Sequence, residues 1–112
     1  MTDQNEVPPI KLNKHDWCEV RRILAQCVPE YTVWAFGSRV AGTAKTFSDL
    51  DLVIHTDQPL SLLCMATIKE AFDESDLTIR VDVVDWAATS TVFRDIIQQQ
   101  YVVIQHAGKG NN

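Results

Sequence analysis

Several things are missing from this chain, and each absence narrows what it can be. No stretch approaches the ~18 apolar residues of a membrane span. The amino terminus, Met1-Thr2-Asp3-Gln4-Asn5-Glu6, has none of the basic-then-apolar character of a secretory signal. Cys18, Cys27 and Cys64 are odd in number and show neither Cys-x-x-Cys nor Cys/His ligand spacing. These features predict a cytoplasmic protein with no membrane association, its thiols reduced and packed in the core. Basic charge is also short: 10 Lys and Arg stand against 15 Asp and Glu, for a net charge of −5. Surfaces that track a nucleic-acid backbone are basic, so direct nucleic-acid binding is not expected, and a nucleotide would have to be held by local chemistry and metal.

What remains is enough for one modest core. The chain has 112 residues, 46% of them hydrophobic and 22% charged, which suits one globular domain and leaves no room for a second lobe. A site on so small a scaffold must stay open or be completed by a partner. Residues 1–12 are polar and carry Pro8-Pro9, so they read as a flexible leader; residues 13–106 read as the domain, and 107–112 as a flexible tail.

Within the domain, Trp17, Val20, Leu24, Cys27 and Val28 recur at helical spacing until Pro29. Residues 31–36 read as a buried strand stopped by Gly37, with a short helical turn over about 38–44 and a second strand over about 50–55. Pro59 and Ser61 open a helix whose apolar face is Leu60, Leu63, Cys64, Ile68, Ala71 and Phe72. Residues 78–85 alternate, placing Ile79, Val81 and Val83 on one face and Arg80, Asp82 and Val84 on the other. A helix over about 89–99 is expected to bury Val92, Phe93, Ile96 and Ile97, and Tyr101–Ile104 to form a last short strand or packing segment. Alternating strands and helices predict an α/β fold, a small mixed β-sheet covered by helices.

The chemistry concentrates between the first two strands. Gly37-Ser38 is followed, ten residues later, by Asp49-Leu50-Asp51. Glycine permits a turn closed to other residues, a helix amino terminus presents free N–H groups to a phosphate, and Ser38 adds a hydroxyl. Taken alone, the pair is more often an ordinary turn with an N-cap. Asp49 and Asp51 leave one face of a strand with α-carbons roughly 6.5 Å apart, so their carboxylates can converge on one Mg²⁺ or bridge two. An isolated Asp-x-Asp is more often a turn and solvated strand edge, a balance that its context here reverses. Asp82 adds a carboxylate on an otherwise apolar strand, either a third metal ligand or the partner of Arg80. Asp85, on the opposite face before Trp86, reads as a capping or turn residue. His15, His55 and His106 lack partner spacing and read as surface or packing residues. Trp17, Trp34 and Trp86 read as core or interface aromatics.

Gly-Ser, then Asp-x-Asp, then a distal aspartate on a later strand resembles the DNA polymerase β-type nucleotidyltransferase superfamily. The sequence is closely similar to its minimal nucleotidyltransferases, in which Gly-Ser-Arg-x-x-Gly precedes Ser-Asp-[Leu/Ile]-Asp-Leu; the likeness covers about residues 14–105. It implies a polymerase β-like fold, with Asp49, Asp51 and Asp82 as catalytic and metal-binding residues for two Mg²⁺ ions. Gly37, Ser38, Arg39 and Gly42 would then bind the nucleotide, Arg39 through a guanidinium suited to triphosphate. Many members carry a basic residue beside the second glycine where this chain has Ala41, a loss that Lys45 would offset.

The implied activity moves NMP, foremost AMP from ATP, onto a hydroxyl and releases pyrophosphate. In the minimal family the transferase is the antitoxin of a two-component module, modifying a tyrosine on a helical HEPN-domain partner. Two other readings remain open at this level: a non-catalytic binding subunit that neutralises a helical partner by contact, and an aminoglycoside-type small-molecule transferase whose missing wall a homodimer or partner supplies.

Overall fold

The computed structural model describes residues 7–108. Helix α1 (Lys14–Cys27) starts where the Asn13 side chain accepts the Asp16 N–H at 2.7 Å, and ends at Val28, just ahead of Pro29. Strand β1 (Val33–Phe36) runs into α2 (Ser38–Ala41), and β2 (Leu50–Ile54) follows. Helix α3 (Leu62–Asp73) is capped by Ser61, β3 (Val81–Asp85) by a single 3₁₀ turn (Trp86–Ala88), and α4 (Thr91–Gln99) by Ser90 before β4 (Tyr101–Gln105) closes the chain. The final segment is thus a true strand.

The sheet order is β3-β2-β1-β4. β1 pairs antiparallel with β2 and β4, whereas β2 and β3 run parallel. A parallel pair needs a crossover, and α3 supplies it. Period-two alternation sends Val33, Ala35, Leu50, Leu52, Ile54 and Val83 to one face, where α1 and α3 bury them with Val20, Leu24, Ile68 and Phe72. The other face carries Trp34, Phe36, Asp51, Val53, Asp82 and Val84, and α4 lies against it through a small cluster of Phe36, Val53 and Ile97, joined by Trp86 of the 3₁₀ turn. The mixed sheet covered by helices is the architecture the sequence predicts.

Five details differ from the sequence expectation. Of the four α4 residues expected in the core, only Ile97 is buried; Val92, Phe93 and Ile96 remain 72%, 37% and 53% exposed, because among the described residues no further layer covers that helix. On α3, Leu63 is exposed along with Leu62, and burial rests on Ile68 and Phe72. The third strand begins at Val81 instead of residue 78, since the Thr78 N–H and hydroxyl are both taken by the buried Asp16 carboxylate. The expected leader 1–12 lies outside the described residues up to position 6, but from Val7 onward it packs on the core: Ile10 is buried, and Lys11 donates its N–H to Arg39 O at 2.8 Å. Of the expected tail, 109–112 lie outside the described residues, while Ala107 and Gly108 donate to Thr32 Oγ1 and Pro29 O.

Candidate active site

The site is assembled by register. Phe36 pairs with Asp51 across β1 and β2, and Asp51 aligns with Asp82 across β2 and β3. Gly37 follows Phe36 directly, so the glycine turn and both carboxylates meet at one end of the sheet. Gly37 has φ +83°, and a Cβ there would fall on the Asp51 carboxylate. Only glycine satisfies both the backbone angle and that approach. The first amides bonded within α2 are those of Val40 and Ala41, both to Gly37 O, so those of Ser38 and Arg39 precede the ladder at the turn. Gly42, also at φ +83°, ends α2 in the left-handed conformation and donates to Ser38 O at 3.0 Å.

A cavity of about 610 Å³ opens over these residues. Gly37, Ala41, Asp51 and Asp82 line its polar end, and Phe93 and Ile96 of α4 contribute its apolar wall. Asp49 sits one residue before β2, exposed, on the rim of a neighbouring cavity that it shares with Phe47, Phe72 and Arg80. The structure therefore joins Gly37, Asp51 and Asp82 in one recess and leaves Asp49 at its margin. Lys45 stands exposed on the loop between α2 and β2 and lines a separate hollow with Thr46, Phe47 and Ser48.

Electrostatics mark Asp51 as the focus. Burial, then the charges of Asp82 and Asp49, push its carboxyl up to about 6 from an ordinary 3.8. Among the described residues, however, no three His, Cys, Asp or Glu side chains close on one point as a finished metal site. The two findings concern different lengths: the three carboxylates share an electric field over several ångströms but not a coordination sphere. A hard divalent cation suits this set, because oxygen ligands are present and their mutual repulsion lacks a counter-charge at Asp51.

Arg39 departs from its expected role. It is only 6% exposed, and its guanidinium donates to the carbonyls of Lys11, Lys45, Thr46 and Ser48 instead of pointing into the cavity. Asp85 fulfils its expected capping role: its buried carboxylate accepts the Thr56 hydroxyl, Leu60 N–H at 2.6 Å and Ala87 N–H at 3.1 Å, tying the ends of β2 and β3 together.

Sequence reasoning missed an aromatic group on the site face. Trp34 stacks on Tyr101 with centroids 3.7 Å apart, and His55 packs against Trp34 and Trp86 at 3.8 and 4.5 Å. Burial lowers the His55 pKa, consistent with a neutral packing residue. The available signal was parity: Trp34 and His55 share the alternation of Phe36 and Val53.

Comparison with known proteins bears on the family and the fold. The chain is 60% identical over 90 residues to the "Probable protein adenylyltransferase MntA" of Haemophilus influenzae, a match spanning 80% of this chain and 79% of that one. A crystal structure of a toxin–antitoxin with AMP-PNP superposes with a TM-score of 0.68 at 22% identity, covering 85% of this chain and 77% of that one. A tri-AMPylated Shewanella oneidensis HEPN toxin in complex with an MNT antitoxin gives 0.63 at 17% identity, covering 86% and 74%. At those identities the two structures speak to the fold. The family model "Polymerase beta, Nucleotidyltransferase" matches residues 19–108, and with that span and the MntA likeness this chain belongs to the polymerase beta nucleotidyltransferase family.

Proposed function

We propose that this protein is a Mg²⁺-dependent protein adenylyltransferase that moves AMP from ATP onto a tyrosine hydroxyl of a HEPN-domain partner, acting as the antitoxin of that pair in the cytoplasm. The observation that carries this reading is the convergence of Gly37, Asp51 and Asp82 in one recess that the described residues leave uncovered. An uncovered recess suits an acceptor delivered by another protein. The kinship with MntA and the AMPylated toxin of the Shewanella complex supply the chemical class.

In this reading residues 13–106 form the transferase domain. Gly37, Ser38 and the amides that open α2 hold the phosphates, and Gly42 lets α2 turn away so that the loop beyond it clears them. Asp51 and Asp82, with Asp49 at the rim, would hold two Mg²⁺ ions, which supply charge neutralisation at the phosphates. The acceptor oxygen forms a bond to the α-phosphorus as the bond to the β-phosphate oxygen breaks, pyrophosphate leaves, and the acceptor proton passes by way of the exposed Asp82 carboxylate to solvent. Asp51 must be ionised to take part, and Mg²⁺ held beside it would favour that form against the burial and neighbouring charges that raise its pKa in the metal-free protein.

The exposed apolar residues of α4 favour one alternative, neutralisation of the partner by contact. Incubation with the partner, Mg²⁺ and labelled ATP separates the two. Transfer of label that disappears in Asp49→Ala and Asp51→Ala supports the enzyme. Absence of transfer, with partner inhibition unchanged in both variants, supports contact.

A further inference from the structure

We infer that Arg39 is a positioning residue, a clamp that fixes the loop carrying Asp49 against the phosphate turn, and that it does not bind the triphosphate. The inference deepens the transferase reading above and rests on it for the reaction, though the clamp itself is a property of the fold.

The loop between α2 and β2 has no helix or strand of its own. It must bring Asp49 to a defined place beside Gly37-Ser38, and a loop of that length would otherwise sample many closures. Its carbonyls turn inward onto one side chain. Arg39 Nε donates to Ser48 O at 3.0 Å, Nη2 to Thr46 O at 3.1 Å and more weakly to Lys45 O at 3.5 Å, and Nη1 to Lys11 O at 2.6 Å. The Ser48 carbonyl belongs to the peptide group that leads into Asp49, so that bond sets the plane from which the metal-ligand residue departs. Arg39 itself follows Ser38 directly, so its guanidinium spans the two halves of the motif.

Two further bonds tighten the assembly. Lys11 Nζ reaches Ala44 O at 3.1 Å, and the Ser48 hydroxyl accepts Lys45 N–H at 2.9 Å. The strap at residues 10–11 is therefore held to the same loop. Backbone carbonyls facing a buried cation must be satisfied, and a planar fork with five donors can serve several at once. A lysine ammonium offers three donors from one point and cannot replace that span. Engaged in this way, and 6% exposed, the guanidinium has no free edge for a phosphate.

Two measurements test the inference. In the wild-type protein, the Arg39 Nε–H resonance in a ¹⁵N NMR spectrum should be slow to exchange without ligand and unmoved by ATP; a fast-exchanging resonance that becomes protected on adding ATP overturns the clamp. This readout needs neither activity nor a variant, so it stands even if the transferase reading fails. In Arg39→Lys, amide exchange over residues 43–49 should accelerate by at least about tenfold, and kcat should fall about 10–100-fold, as for lost support of a ligand. The KM for ATP should stay within about threefold. A KM raised tenfold or more with loop exchange unchanged would identify a triphosphate ligand instead. If Arg39→Lys fails to fold while Arg39 Nε–H is protected and silent to ATP, the clamp is supported, since a triphosphate ligand would not be needed for folding.

Discussion

The two faces of the sheet come from the same strands and have opposite fates. On one, Val33, Ala35, Leu52 and Ile54 are inaccessible beneath α1 and α3. On the other, the neighbouring positions in the alternation are Trp34, Phe36, Asp51 and Asp82, met among the described residues by Ile97 and Phe93 of α4 and by Trp86 of the 3₁₀ turn. A carboxylate on the first face is cut off from water and must be satisfied within the protein, as Asp85 is by Thr56, Leu60 and Ala87; on the second it sits at a recess where solvent still reaches. Incomplete coverage is thus what lets one small domain hold both a core and a charged site. The same incompleteness leaves Val92 and Ile96 of α4 without a cover among the described residues.

The contrast is sharpest where stability alone is read. Leu52 is fully buried on the covered face. Leu52→Ala should lower unfolding free energy by about 2–5 kcal/mol, the range for a cavity in a packed core. Urea denaturation followed by circular dichroism measures it, and a loss below ~1 kcal/mol would mean that the α1–α3 layer is not the principal core.

On the open face the equivalent damage should be to chemistry. Asp82 is exposed and removing its charge disturbs little packing. Asp82→Asn should reduce AMP transfer on the order of 10²–10³-fold, the scale for losing one preorganised electrostatic contact, while the urea midpoint stays put or rises. Retained transfer would remove Asp82 from the site; a large stability loss would show that the two faces are not separable in this way.

The sequence disclosed this division in part. Alternation along β1, β2 and β3 predicted which residues share a face, and the glycine-serine and aspartate spacing located the recess. Periodicity could not reveal whether a face would be covered, and that is why Val92, Phe93 and Ile96 were expected in a core that never reaches them. Nor could it reveal the partners of Arg39, because backbone carbonyls have no residue signature. A motif position suggested phosphate, whereas geometry supplies Lys11, Thr46 and Ser48 carbonyls. Asp49 was expected beside Asp51, but it falls one residue outside β2 and stays on the rim.

A pH titration of the metal-free protein probes the open face more finely. Below about pH 4 the Asp51 carboxyl is protonated whether the chain is folded or not; well above 6 it is ionised in both. Between its ordinary 3.8 and about 6, the folded chain keeps a proton that the unfolded chain releases, so stability falls as pH rises through that window. The loss should be on the order of 1–2 kcal/mol, smaller than the full shift implies because water screens a half-buried carboxylate. His55 acts in the opposite sense: its lowered pKa withdraws stability as pH falls below its ordinary 6.5. Asp51→Asn separates the two, abolishing only the fall with rising pH and leaving the His55 limb. If the variant keeps the same fall, the strain lies elsewhere.

The smallest expected effect bears most directly on coverage. Ile96 on α4 is 53% exposed and lines the recess, whereas its neighbour Ile97 is fully buried between Phe36 and Val53. Ile96→Ser should change unfolding free energy by no more than about 0.5 kcal/mol, as for a surface position. Ile97→Ser, one step round the same helix, places a hydroxyl against an apolar cluster and should act like a core defect. The pair therefore measures how far coverage extends across the second face. Equal losses at both positions would mean that α4 is packed on two sides, by a second copy of the chain or by segments outside residues 7–108. Measuring both variants over a hundredfold range of protein concentration distinguishes these, because only a self-association interface gives a loss that shrinks on dilution.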